Sequence, residues 1–168
     1  ATAAAKGGQF DDALALLAKA AVDLPGVADL TAARSQVEAL QVEANRQAQN
    51  RALAAVQQTF NTAIERARPT EASWQREADS ALAALRKTAG GEQVAAAALE
   101  RLTSVYLDAA GRLIDEKRFN AATQLLDKAQ QLTPQSSALQ MRREQWRAAS
   151  ERQKTERAAE ELAAKIDA

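Results

Sequence analysis

The chain has 168 residues, 46% hydrophobic but only 4% aromatic, with 22 basic and 22 acidic side chains and neither cysteine nor histidine. That length suits one domain with a modest core. The missing residue types exclude disulfides, thiolate nucleophiles, cysteine or histidine metal sites and imidazole acid-base catalysis, and the cancelled charge gives no net field toward nucleic acid or an anionic membrane.

Phe10, Ala13, Leu14, Leu17 and Ala20 recur at helical spacing and predict a first helix, stopped by Pro25 and Gly26. A second pattern runs through Leu30, Ala33, Val37, Leu40 and Ala44, shifts phase, and resumes at Leu53, Val56, Phe60, Ala63 and Ala67 before Pro69. The polar neck between them, Asn45 to Asn50, holds no glycine or proline. One long helix with a change of buried face is therefore expected in preference to two helices and a turn. Thr70 and Glu71 read as the next helix start, Trp74, Ala78, Ala81, Leu82 and Leu85 as its buried stripe, and Gly90-Gly91 as its stop. Val94, Ala98, Leu102, Val105, Tyr106, Ala109, Leu113 and Ile114 predict an amphipathic helix leading to Phe119.

After Pro134 a last helix carries Leu139, Trp146 and Ala149, turns polar from Ser150 to Arg157, and regains apolar spacing at Ala159, Leu162, Ala163 and Ile166. This tail is expected to project, with Arg152–Glu156, Arg157–Glu161 and Glu161–Lys165 pairs each adding a few tenths of a kcal/mol. The longest apolar run, Val94 to Leu99, falls far short of the roughly 20 residues of a membrane span, and the N-terminus does not resemble a signal peptide. A start at Ala1 without methionine, part-way through a helix on the repeat register described next, leads to the expectation of a fragment of a longer protein.

One segment occurs twice. Phe10 pairs with Phe119, Ala13 with Ala122, Leu16 and Leu17 with Leu125 and Leu126, Lys19 with Lys128, Ala20 with Ala129 and Pro25 with Pro134, all at the offset 119 − 10 = 109. Self-similarity of this kind marks stacked helical hairpins, in which one unit cannot bury its apolar face alone.

Phe119, Ala122, Leu126, Ala129, Leu132 and Pro134 resemble the second helix of a tetratricopeptide repeat, as do Gly8, Phe10, Ala13, Leu17, Ala20 and Pro25; Tyr106, Ala110 and Leu113 resemble the large, small and large positions of that family's first helix. The resemblance implies an all-α fold, an irregular tetratricopeptide-like stack of antiparallel helical hairpins with some long helices. A single repeat-type domain over 1–168 is expected, with repeat-like units at 1–26 and 104–134, an irregular middle at 27–103 and a C-terminal helix at 135–166. The offset of 109 is not a multiple of about 34 residues, which makes the stack irregular. The composition also resembles extracytoplasmic repeat regions of bacterial membrane serine/threonine kinases and similar sensors, implying a periplasmic setting and a signalling role.

Carboxylate neighbours at Asp11–Asp12 and Glu160–Glu161 point about 100° apart on a helix and do not face one site. Neither Gly7-Gly8 nor Gly90-Gly91 has the lysine and hydroxyl residue of a phosphate loop, so both read as turns. Arg142, Arg143, Arg147, Arg152, Lys154 and Arg157 are interleaved with Glu144, Glu151, Glu156, Glu160 and Glu161, which reads as a charged helix surface rather than a nucleic-acid stripe. Trp74 and Trp146 read as core anchors or hairpin contacts.

No catalytic residue, cofactor or metal is expected, and the chain reads as a non-enzymatic protein-protein interaction domain. The resemblance places the partner groove at Ser104, Leu107, Asp108, Gly111, Ile114 and Asp115, with Met141 and Gln145 from the helix after Pro134. It is a small apolar groove edged by acid, suited to a partner helix or an extended apolar peptide with basic flanks. Two other expectations compete with it: neighbouring helices of this chain fill the groove, or the helices at 27–68 and 135–166 pair between copies as a self-association module.

Overall fold

Alanine-rich segments with leucine at every third or fourth position can bury a stripe only against another helix, and the structure, a computed structural model, is built that way. It describes Ala5, residues 8–24 and residues 27–166. Six α-helices and no strand occur among the described residues: α1 Phe10–Asp23, α2 Ala28–Arg66, α3 Ala72–Lys87, α4 Glu92–Asp115, α5 Phe119–Leu132 and α6 Ser137–Ile166. The chain is all-α. Its contacts divide it into two compact units, Ala1–Ala54 and Ala55–Ala168.

In the first unit Ala5, Ala13, Leu17 and Val37 form a small core, with Phe10, Leu14, Leu30 and Ala33 packed against it. In the second, α4 lies along α5 and also contacts α3 and α6, while α6 returns against α5. Its core holds Phe60, Trp74, Leu85, Leu102, Tyr106 and Leu125, all 3% exposed or less. Alanines fill the gaps between them. Ala78, Ala110, Ala122 and Ala129 are wholly buried and allow close helix approach.

The repeat extends from sequence to backbone geometry. Adding 109 to the bounds of α1 gives those of α5, and adding it to the first residue of α2 gives that of α6. Left-handed residues precede both first helices at matching positions, Gly8 with φ 83° and Lys117 with φ 57°. The residues before α1 and α5, Gln9 and Arg118, have φ/ψ of −91°/61° and −93°/59°, and those after, Leu24 and Thr133, −132°/70° and −138°/76°. The Gly8 amide donates to Ala5 O at 3.0 Å and the Lys117 amide to Ile114 O at 2.9 Å. Ala5 and Ile114 are both buried. The two segments are thus one hairpin geometry used twice.

Several local expectations change. The neck from Asn45 to Asn50 is helical within the 39-residue α2, as the absence of glycine and proline favoured. Helix α3 begins one residue later than Thr70-Glu71 suggested, with Glu71 as N-cap and no side-chain cap bond. It ends before the glycine pair, where the Thr88 hydroxyl donates to Ala84 O at 2.9 Å. Gly90 turns the chain at φ 73°, and Gly91 lies where a Cβ would sit 2.1 Å from Leu85 O, so only glycine fits. Pro25, Gly26 and Gly7 lie outside the described residues. The three ion pairs expected along the tail of α6 do not close to 4.0 Å among the described residues; Glu156 instead meets Lys117 at 3.0 Å and Lys154 meets Glu151 at 2.7 Å. Solvated pairs bias rotamers by too little to dictate their partner.

Tyr106 carries a testable pH dependence. Its ring is fully buried and meets Trp74 edge to face, and its hydroxyl has no hydrogen-bond partner among the described residues. Desolvation, with a smaller contribution from the Asp79 charge, pushes the phenol up to about 12. The unfolded phenol ionises near about 10. Folding therefore favours the protonated form, and this contribution is complete below about pH 10 and lost as pH rises through the folded value. Tyr106→Phe is expected to unfold at the same or slightly higher urea near neutral pH, because an unpaired buried hydroxyl is removed. Between about pH 10 and 12 its midpoint should fall less steeply than that of the parent.

Candidate functional site

The eight groove positions lie in the second unit, on α4 and the facing part of α6. They fall into two clefts. A larger one of about 680 Å³ is lined by Ser104, Leu107 and Asp108 of α4, by residues 134–138 entering α6, and by Met141 and Gln145. A smaller one of about 380 Å³ is lined by Gly111, Ile114 and Asp115 together with Gln145, Ala149 and Arg152. Arg142 and Gln145 line both clefts, so a single side-chain pair divides the expected groove.

The divider follows from local sequence. Gly111, buried about one turn before the end of α4, leaves no side chain on the face toward α6, and the Arg142 guanidinium lies in that space. A Cβ on Gly111 would stand 2.7 Å from Arg142 Nη1 and 2.9 Å from its Cζ. Arg142 Nη1 donates to Gln145 Oε1 at 2.9 Å, and Nη2 lies 3.9 Å from Asp108 Oδ1. The expectation that neighbouring helices of the chain fill the groove thus holds at Gly111, where an arginine covers the backbone. It does not hold further along, where the larger cleft stays open.

Leu107 is 5% exposed and forms part of the cleft wall, whereas Met141 is 60% exposed at the rim. Pro134 and Ala138 add apolar surface opposite α4. Hydroxyls of Thr103, Ser104, Thr133, Ser136 and Ser137 surround it. The Thr133 hydroxyl donates to Thr103 Oγ1 at 3.2 Å, joining α4 to the end of α5, and Ser104 Oγ donates to Asp108 Oδ2 at 3.4 Å. Acid edges this cleft at Glu100 and Asp108 and the smaller one at Asp115. Arg142 is the feature that sequence reasoning missed, having been grouped with the charged helix surface. A glycine inside a helix facing a long basic residue is the signal that could have found it.

Among the described residues no three His, Cys, Asp or Glu side chains gather as a metal site would require. No helix is long and apolar enough to cross a membrane among them. Trp146, half-buried, donates from Nε1 to Phe119 O at 3.3 Å and meets the Phe119 ring edge to face, a hairpin contact as anticipated. Arg143 pairs with Asp127 at 2.8 Å and also donates to Gln130, fastening α6 to α5.

Gly111→Ala probes the divider. Alanine gains about 1 kcal/mol of helix propensity over glycine, and its methyl displaces only the flexible end of Arg142. The expected result is a stability change within about 1 kcal/mol in urea, with the guanidinium moved away from α4 and the two clefts joined, as a crystal structure of the variant would show. The chain matches no protein-family model, no curated protein and no solved structure.

Proposed function

We propose that this chain is a non-enzymatic, tetratricopeptide-like docking domain, part of a larger bacterial signalling or sensor protein with a periplasmic setting, that binds an apolar peptide segment of a partner protein in the α4/α6 cleft. The observation that carries this reading is the open cleft itself, of about 680 Å³, in which buried Leu107 and exposed Met141 flank apolar surface edged by Glu100 and Asp108. Hydroxyl groups around that surface offer hydrogen bonds to an extended backbone, and the carboxylates favour lysine or arginine beside the apolar anchor. The repeated hairpin geometry supports the tetratricopeptide-like part.

The test is selection from a displayed peptide library against the full chain, repeated with Met141→Glu and Ala138→Glu. Enriched peptides should pair one or two large apolar residues with a flanking base and lose at least about tenfold in affinity to either variant, since a charge placed against an apolar anchor costs about 1.4 kcal/mol or more. Peptides that bind parent and variants alike would remove the cleft from consideration. The competing reading, self-association, rests on Leu162 and Ile166, 61% and 76% exposed and four residues apart on the tail of α6. It takes over if sedimentation shows a dimer that Leu162→Arg dissociates.

A further inference from the structure

The duplicated hairpin serves as an internal control on burial. Positions buried in both copies, Ala13 with Ala122 and Leu17 with Leu126, are covered by something both copies possess. Leu16 differs: it is 56% exposed, while its counterpart Leu125 is 2% exposed. One and two helical turns further, Ala20 is half-buried where Ala129 is wholly buried, and Leu24 is 58% exposed. The counterpart of Leu24 is Thr133, whose hydroxyl bonds to Thr103 of α4. Leu16, Ala20 and Leu24 stand at i, i+4 and i+8, so they form one stripe. The uncovered stripe is the one whose counterpart looks toward α4. What the second copy has there, and the first lacks among its described residues, is a helix in the place of α4, beyond the single counterpart of Ile114 at Ala5.

We propose that the stripe Leu16, Ala20, Leu24 is a docking face for one antiparallel amphipathic helix of the α4 type. The chemistry of that helix follows from α4: large apolar residues at the places of Leu102 and Tyr106, and alanine at the place of Ala109, all three buried in α4. It departs from α4 at one point. The Thr103–Thr133 hydrogen bond has no counterpart at Leu24, so the residue in the place of Thr103 is apolar, because a hydroxyl there would accept nothing from leucine and keep only a bond like the one Thr103 donates to Leu99 O at 2.8 Å. The inference stands on the repeat and uses no residue of the α4/α6 cleft.

The experiment keeps the full chain and fuses ahead of Ala1 a second copy of residues 92–109 carrying Thr103→Val, so that Ala1 takes the register of Ala110. Hydrogen exchange in α1 is expected to slow at least about tenfold relative to the parent, and less when the fused copy retains threonine. Leu16→Lys should abolish that protection in the fused chain while leaving the melt of the unfused chain unchanged. Unchanged exchange in α1, or protection that survives Leu16→Lys or is matched by a fused segment of scrambled order, would overturn the proposal. So would a parent chain that sediments as a dimer and becomes a monomer with Leu16→Lys, because the stripe would then be taken by a second copy.

Discussion

Trp74→Ala is expected to cost the second unit about 3–5 kcal/mol, the range for deleting a buried large aromatic side chain. Trp74 is 3% exposed and stands edge to face on Tyr106, with ring centroids 5.8 Å apart. Its indole also closes the end of a helix. The last carbonyls of α2 have no partner within that helix, and the Ala67 amide, at a residue with φ 30°, bonds to Ile64 O at 3.1 Å and not to Ala63 O. Trp74 Nε1 donates to Ala63 O at 2.6 Å, a buried bond that satisfies that carbonyl. Truncation therefore opens a cavity and leaves an acceptor bare. Trp74→Phe separates the two effects, retaining most of the apolar volume while removing the donor, and should cost about 1–3 kcal/mol. Urea unfolding followed by emission of the remaining tryptophan, Trp146, reads both variants in the same unit. A loss below about 1 kcal/mol for Trp74→Ala would mean that the contact with Ala63 and Tyr106 does not exist in solution.

Helix α5 was legible in the sequence because Phe119, Ala122, Leu126 and Ala129 state one buried face and Pro134 follows its end. The continuous α2 was legible for a negative reason, since nothing between Asn45 and Asn50 breaks a helix. Positions such as Glu71, the N-cap of α3, were not, because no side chain caps that end and a residue's propensity at a boundary is weak. The groove positions on α4 came from the tetratricopeptide resemblance, carried over residue by residue. The division of that groove was not visible, because it depends on where Arg142 finds its partners across a helix pair, and helical periodicity records which way a residue points but not what it meets. The ion pairs show the same limit: Glu156 chose Lys117, 39 positions away, over neighbours on its own helix.

The repeat sharpens this distinction, because identical residues with identical local geometry are expected to respond in opposite ways. Leu125→Ala should destabilise the second unit by about 2–5 kcal/mol, since a leucine 2% exposed between packed helices leaves a cavity that the surroundings only partly refill. Leu16→Ala, at the matching position of α1, should change stability by no more than about 0.5 kcal/mol, since more than half of that side chain already meets water. Alanine's slightly better helix propensity offsets part of the small loss. The two measurements separate cleanly. Both tryptophans lie in the second unit, so their emission follows Leu125→Ala, whereas the effect of Leu16→Ala on the first unit is read from helical circular dichroism. Neither helix propensity nor hydrophobic pattern can produce a large difference between the pair, because both are the same at the two sites. Only a neighbour present at one and missing at the other can, and a cost above about 2 kcal/mol at Leu16 would show that its stripe is already covered in solution.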